Sequence, residues 1–133
     1  MQISENWTQA LAIFGRVGLA SLFILGGINK IINYTEVLQQ MSDVGLPFPG
    51  ALLPLVILIE LGGGLAIAIG RSGAAVCAIA LAGFTVLTNL VFHDFWNMEG
   101  QVAALELSLF FKNISIAGAL ILFAGMHTRL QQA

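Results

Sequence analysis

The stretch LPLVILIELGGGLAIAIG, residues 53–70, decides the fold, because it is almost wholly apolar and still carries a carboxylate, Glu60, near its middle. Its length approaches the roughly 20 residues that a helix needs to cross the hydrocarbon core of a bilayer. A carboxylate in hydrocarbon costs several kcal/mol, so membrane-spanning segments turn such groups toward the protein interior. We therefore expect a transmembrane helix whose Glu60 faces a helix bundle and finds a partner there or takes up a proton.

The composition of the whole chain supports a membrane setting. Of its 133 residues, 58% are hydrophobic and only 9% are charged, whereas soluble domains carry about 25% charged residues. The net charge of −2 and the lack of a Lys/Arg run exclude a nucleic-acid-binding patch. A single cysteine, Cys77, excludes an internal disulfide and a thiolate zinc cluster. We predict one domain over residues 1–133, with no metal site.

Four apolar stretches predict transmembrane helices, at about residues 11–32, 52–69, 73–92 and 105–126. The GRSG turn at 70–73 is so short that the second and third helices must be antiparallel neighbours. The first ten residues contain no base, unlike a cleavable signal peptide, so the first apolar segment is expected to stay as a membrane anchor.

The longest connection, residues 33–50, holds apolar residues at helical spacing, followed by Gly45, Pro47 and Pro49, which end a helix. This pattern predicts a short amphipathic helix at the membrane interface. The predicted fold is an all-α polytopic membrane protein: a four-transmembrane-helix bundle with that interfacial helix between helices 1 and 2.

The arginines predict the orientation of the bundle. Arg71 and Arg129 lie at the end that carries both termini, and Arg16 lies near that end in the first helix. Because cytoplasmic loops carry the excess of Lys and Arg, both termini are predicted to be cytoplasmic. Arg16 is expected to contact lipid phosphate or the last carbonyls of a neighbouring helix there.

Depth along the helices nominates a partner for Glu60. At about 1.5 Å per residue, Glu60 lies roughly 12 Å and Lys112 roughly 10 Å below the outer ends of their helices. The matching levels predict a Glu60–Lys112 pair. With the polar residues near the same end, this pair predicts a ligand-binding pocket formed by Lys30, Glu60, His93, Lys112, Asn113 and Asn89. The competing interpretation is that the pair only locks two helices together.

Several motifs of this chain resemble the DoxX family in order: GR at 15–16, GGINK at 26–30, VGLPFP at 44–49, LPLVILIELGGGLAI at 53–67, LVFHDFW at 90–96 and FKN at 111–113. The resemblance covers nearly the whole chain and implies a small bacterial inner-membrane protein with four transmembrane helices. Arg16, Lys30, Glu60, His93 and Lys112 match the family's polar motif positions. The family name comes from a subunit of a terminal quinol oxidase, and a relative forms part of a thiosulfate:quinone oxidoreductase. Other members are linked to oxidative-stress and thiol-handling complexes.

These observations predict a membrane subunit of a quinone-linked redox system. Lys30, His93 and Lys112 would donate hydrogen bonds to a quinone-like or anionic ligand, and Glu60 would orient a lysine or relay a proton. The chain offers no flavin motif or dithiol, so we expect no covalently bound cofactor and at most a non-autonomous oxidoreductase subunit with a redox partner. A small transporter or permeability factor and a structural membrane anchor remain the alternatives. The small residues Ala74, Ala78 and Ala82 leave a homo-oligomer open.

Overall fold

The structure is a computed structural model that describes residues 4–132, with side chains for residues 4–129. It contains five α-helices and a short 3-10 turn at Phe95–Asn97: α1 (Glu5–Ile32), α2 (Tyr34–Asp43), α3 (Pro49–Ile69), α4 (Ala74–Phe92) and α5 (Gly100–Gln132). Four of them, α1, α3, α4 and α5, are long and apolar enough to cross a membrane. The predicted all-α fold with four spanning helices is confirmed, and α2 is the short helix predicted between the first two.

Three of the four spanning helices are longer than the apolar stretches that predicted them, and α4 agrees with its stretch to within one residue. The first begins at Glu5 instead of about residue 11, and the last begins at Gly100 instead of about 105 and continues to Gln132. Hydropathy marks only the part of a helix that lies in hydrocarbon, whereas the backbone stays helical through the polar residues beyond it. The structure therefore corrects the ends of the predicted helices but not their number or order.

The connection between α3 and α4 reverses the chain within four residues. Gly70 ends α3 at φ 67°, and Gly73 precedes α4 at φ 96°. Glycine occupies this left-handed region without the steric cost of a Cβ atom. The predicted tight turn is confirmed, and α3 and α4 are antiparallel neighbours.

The bundle is built from two helix pairs. Helix α1 packs mainly against α3, α4 packs mainly against α5, and the contact between α3 and α4 joins the pairs. Glycines permit the close approaches: a Cβ atom on Gly27 would lie 2.6 Å from Leu61 Cγ, and one on Gly63 would lie 2.8 Å from Leu81 Cδ1. The alanines of α4 predicted as a small-residue face, Ala74, Ala78 and Ala82, are buried inside the bundle.

Candidate functional site

Glu60 forms an ion pair with Lys30, which lies in the last turn of α1. Lys30 Nζ donates a hydrogen bond to Glu60 Oε1 over 3.0 Å and lies 2.9 Å from Oε2, which it approaches without hydrogen-bond geometry. The side chain of Glu60 is 10% exposed and that of Lys30 is 25% exposed. The carboxylate is therefore the more deeply buried member of the pair.

The predicted Glu60–Lys112 pair is wrong. Lys112 is exposed on α5 and makes no hydrogen bond or ion pair with any side chain or backbone group in the described part of the chain. The physical reason is the helix arrangement, because α3 and α5 share no contact in the residues described, whereas α1 lies directly against α3. A Cβ atom on Gly26 of α1 would lie only 3.4 Å from Glu60 Oε2. The carboxylate thus faces α1.

A cavity of about 540 Å³ lies where the end of α1, the helix α2, α3 and α4 meet. We call it the α2 cavity. Three of the predicted site residues, Lys30, Glu60 and His93, line it, together with the polar Asn29, Gln40 and Thr88. Most of the remaining wall is apolar and includes Val37, Met41, Leu52, Leu55, Phe84 and Phe92. An apolar cavity with a few convergent polar groups is the usual form of a small-molecule site.

His93 is held by a residue that the sequence analysis missed. Its Nδ1 lies 2.6 Å from Oε2 of Glu106 on α5, and the two side chains are 25% and 19% exposed. Since an ionised carboxylate only accepts hydrogen bonds, Nδ1 carries the proton in this contact. Nε2 makes no hydrogen bond within the described residues. Glu106 could have been found as an acid inside the fourth apolar stretch, at the same end of the bundle as His93.

Asn89 and Asn113, both predicted to bind ligand, connect α4 to α5 instead of lining the α2 cavity. Asn89 is 1% exposed, and its Nδ2 donates a hydrogen bond to the carbonyl oxygen of Phe110 over 3.1 Å. Its Oδ1 accepts a hydrogen bond from Asn113 Nδ2 over 3.0 Å. With Lys112 exposed, the predicted set of six divides into three cavity residues and three residues outside the cavity.

Arg16 lies at the opposite end of the bundle, as predicted. Its guanidinium covers Gly70 at the C-terminus of α3, where an added Cβ atom would overlap Nη1. The Nε atom is buried and has no hydrogen-bond partner within the described residues. Arg16 is therefore close to the end of a neighbouring helix, although it makes no hydrogen bond to that helix's carbonyls.

The fold and the cavity define a class: small integral membrane proteins with four spanning helices and a polar ion pair between two of them. Comparison with known proteins gives the family. The DoxX family matches residues 11–94, and the chain belongs to this family of integral membrane proteins.

Two curated relatives extend the similarity beyond the family match. The inner membrane protein YqjF of Escherichia coli K12 is 41% identical over 112 residues, covering 84% of this chain and 80% of that protein. The inner membrane protein YphA of the same organism is 27% identical over 114 residues, covering 86% of this chain and 81% of that protein. No solved structure gives a significant match.

Proposed function

We propose that this protein is the membrane subunit of a quinone-linked redox system and binds a quinone-like head group in the α2 cavity. The observation that carries the proposal is that one cavity is lined by a largely apolar wall together with Lys30 and His93. Its volume of about 540 Å³ lies within the range of about 300–1,000 Å³ that is usual for small-molecule sites.

Lys30 supplies the polar contact for a quinone oxygen. An ammonium has three donors and no acceptor, and the hydrogen bond to Glu60 uses one of them. The remaining donors suit a carbonyl oxygen or an anionic oxygen. Glu60 neutralises the ammonium and fixes its direction, so that Lys30 does not leave the cavity for the headgroup region.

His93 supplies a route for protons. With Nδ1–H donated to Glu106, the ring is fixed in orientation. Its Nε2 donates a hydrogen bond to a quinone oxygen when the ring is doubly protonated, and accepts one from a quinol hydroxyl when the ring is neutral. A quinone takes up two electrons and two protons when it becomes a quinol. The electrons must come from a redox partner subunit or a bound reductant, and the protons can pass through His93.

The proposal includes a location and an orientation. Two relatives are named as inner membrane proteins, and we assign this protein to the bacterial inner membrane as a multi-pass protein. The arginines at 16, 71 and 129 lie at one end of the bundle, which favours cytoplasmic termini. The α2 cavity then belongs to the outer leaflet.

The test is binding of decylubiquinone to the purified protein in lipid nanodiscs. Lys30→Met and His93→Ala should each weaken binding about tenfold or more, the usual effect of losing a hydrogen bond to a charged or orienting group. Lys112→Met is the matched control for charge, because Lys112 belongs to the same half of the bundle but lies outside the cavity. It should bind decylubiquinone like the parent. Circular dichroism melting checks that each variant is folded.

Two results would remove the proposal: no decylubiquinone binding by the parent, or equal losses in Lys30→Met and Lys112→Met. The structural-anchor interpretation would then take its place, since Lys30–Glu60 also joins α1 to α3. The transport interpretation gains no support from the fold, because its predicted gate was the Glu60–Lys112 pair.

A further inference from the structure

A second cavity lies at the opposite end of the bundle, between α1 and α5. These two helices meet only sparsely, because each packs mainly against another neighbour. The gap has a volume of about 320 Å³ and is lined mainly by apolar residues, with Arg16 and His127 as its ionisable members. We call it the α1–α5 groove. It shares no lining residue with the α2 cavity.

Arg16 brings unsatisfied hydrogen-bond donors to this groove. A guanidinium has five N–H donors and no acceptor. Within the described residues, the Nε atom is buried without a partner, and no hydrogen bond or ion pair of Arg16 is formed. A buried donor left without an acceptor is costly. The terminal Nη donors also lack a partner within the described residues but are not fully buried, so they are the donors that an anionic oxygen in the groove would reach.

His127 shapes the wall beside Arg16. Its ring stacks on Phe123 with the ring centres 5.3 Å apart and the planes 18° apart. Nε2 lies 3.3 Å from the carbonyl oxygen of Arg71, so it carries the proton. His127 is thereby held against the 70–73 turn, and the groove keeps a firm aromatic wall.

Charge at this end of the bundle favours an anion. Arg16, Arg71 and Arg129 all lie there, and Glu5 is the one acidic residue at that end in the described part of the chain. The guanidinium of Arg16 lies at the level of Gly70, where α3 ends. Since α3 has 21 residues, about the length that crosses the hydrocarbon core, its end is expected to lie near the lipid phosphates.

We propose that the α1–α5 groove binds an anionic phospholipid, with its phosphate on Arg16 and one acyl chain along the apolar wall. Arginine is suited to this contact because its planar fork matches the geometry of a phosphate. The acyl chain would cover Leu19, Ala119 and Leu122. There is open space for the acyl chain beside Gly15, since a Cβ atom there would meet nothing within 4 Å.

The test is native mass spectrometry of the protein in detergent, titrated with phosphatidylglycerol or with phosphatidylcholine of the same acyl chains. The parent should bind phosphatidylglycerol about tenfold more tightly than phosphatidylcholine, and Arg16→Met should lose that preference. Arg129→Met removes the same charge at the same end but from outside the groove. It should keep the preference.

A second pair of variants tests the acyl-chain part of the proposal. This test does not require that the Arg16→Met variant folds. Gly15→Leu places a side chain in the groove and should reduce phosphatidylglycerol binding about tenfold. Gly18→Leu is the control, because an added Cβ atom there also meets nothing within 4 Å but Gly18 does not line the groove. Leucine is a better helix former than glycine, so neither variant should unfold α1.

Three results would overturn the proposal. Equal loss in Arg16→Met and Arg129→Met would mean general attraction between charges. Unchanged binding in Gly15→Leu would mean that no acyl chain occupies the groove. Displacement of phosphatidylglycerol by excess inorganic phosphate would mean that the site takes a free anion. Decylubiquinone binding, measured on the same Arg16→Met sample, should equal that of the parent, which separates this site from the α2 cavity.

Discussion

Replacing Lys30 with Met leaves the Glu60 carboxylate in the bundle without its cation. The carboxylate side chain is only 10% exposed, and Lys30 is its one ion-pair partner in the described residues. So small an exposed fraction does not replace the ammonium in full, so we expect the carboxyl group to take up a proton or to separate α1 from α3. Uptake of a proton by the carboxylate sets an upper limit on the loss of stability.

That limit can be calculated. A glutamate in a model peptide has a pKa of about 4.3, so keeping a carboxyl protonated at pH 7 costs about 3.7 kcal/mol, at about 1.36 kcal/mol per pH unit. Breaking a buried ion pair in soluble proteins costs about 3–5 kcal/mol, which agrees. We expect Lys30→Met to lower the free energy of unfolding by up to about 3.7 kcal/mol at pH 7. The loss should shrink toward about pH 4.3, because the unfolded chain then binds the proton too.

Replacing Glu60, the other member of the ion pair, should reduce the free energy of unfolding by less. In Glu60→Gln the remaining ammonium belongs to a side chain that is 25% exposed in the last turn of α1. Its long stem can carry the charge to the headgroup region, so the loss should be about 1 kcal/mol. In the double variant the orphaned carboxylate is gone. The double loss should therefore fall short of the two single losses added together by about 2 kcal/mol or more.

The assay is unfolding by dodecyl sulfate in mixed micelles, followed by far-ultraviolet circular dichroism, for the parent, both single variants and the double variant. Lys112→Met is the control and should change stability by no more than about 0.5 kcal/mol, because Lys112 is exposed. If the stability losses of Lys30→Met and Glu60→Gln add up to the loss of the double variant within about 0.5 kcal/mol, the reasoning is refuted, since independent sites behave that way.

Three further predictions follow from the helix contacts and the arginine distribution. Gly27→Ala should cost about 1–3 kcal/mol, because its Cβ atom would lie 2.6 Å from a Leu61 side-chain carbon. Gly62→Ala should cost nothing in the same unfolding assay, because its Cβ atom would meet nothing within 4 Å. Asn89→Leu should cost about 2–3 kcal/mol, because it leaves two hydrogen-bonding groups on α5 without their partner, while the folded variant should still bind decylubiquinone. A reporter that is active only in the periplasm should give no signal when fused to Ala133.

Each of these has a result that would contradict it. Equal effects of the two glycine replacements would mean that α1 and α3 are not in close contact at Gly27. A loss of decylubiquinone binding in folded Asn89→Leu would extend the site beyond the α2 cavity. A strong periplasmic reporter signal would reverse the assigned orientation and place the cavity in the inner leaflet.

The bundle itself was predictable because hydropathy and turn chemistry are local properties. Four apolar stretches identified the four spanning helices, and the residues 70–73 identified the tight turn between α3 and α4. The depth of each residue along the bundle axis was also predictable, since the helical rise converts residue number into depth. The sequence could therefore place Glu60 and His93 in the same half of the bundle.

The direction in which each side chain points around its helix axis was not predictable, because it depends on which neighbouring helix that helix packs against. Lys112 and Asn113 are adjacent in sequence, yet one is exposed and the other bonds to Asn89. Neighbouring residues point about 100° apart on a helix, so depth alone does not select between them. The contact of α1 with α3 rests on glycines such as Gly27, and that contact brings Lys30 to Glu60.

The exposed position of Lys112 has a consequence for the bilayer. Helix α5 is continuous from Gly100 to Gln132, and the stretch between Lys112 and Arg129, both exposed, rises about 26 Å. The two cations lie toward opposite ends of α5, and long side chains of this kind can extend beyond their own turn to meet lipid headgroups. The hydrophobic thickness of the bilayer around α5 is then matched to the distance between these two charged groups along the membrane normal. In a thicker bilayer, tilting α5 would only shorten that span, so the membrane must thin around this helix or bury one of its charges.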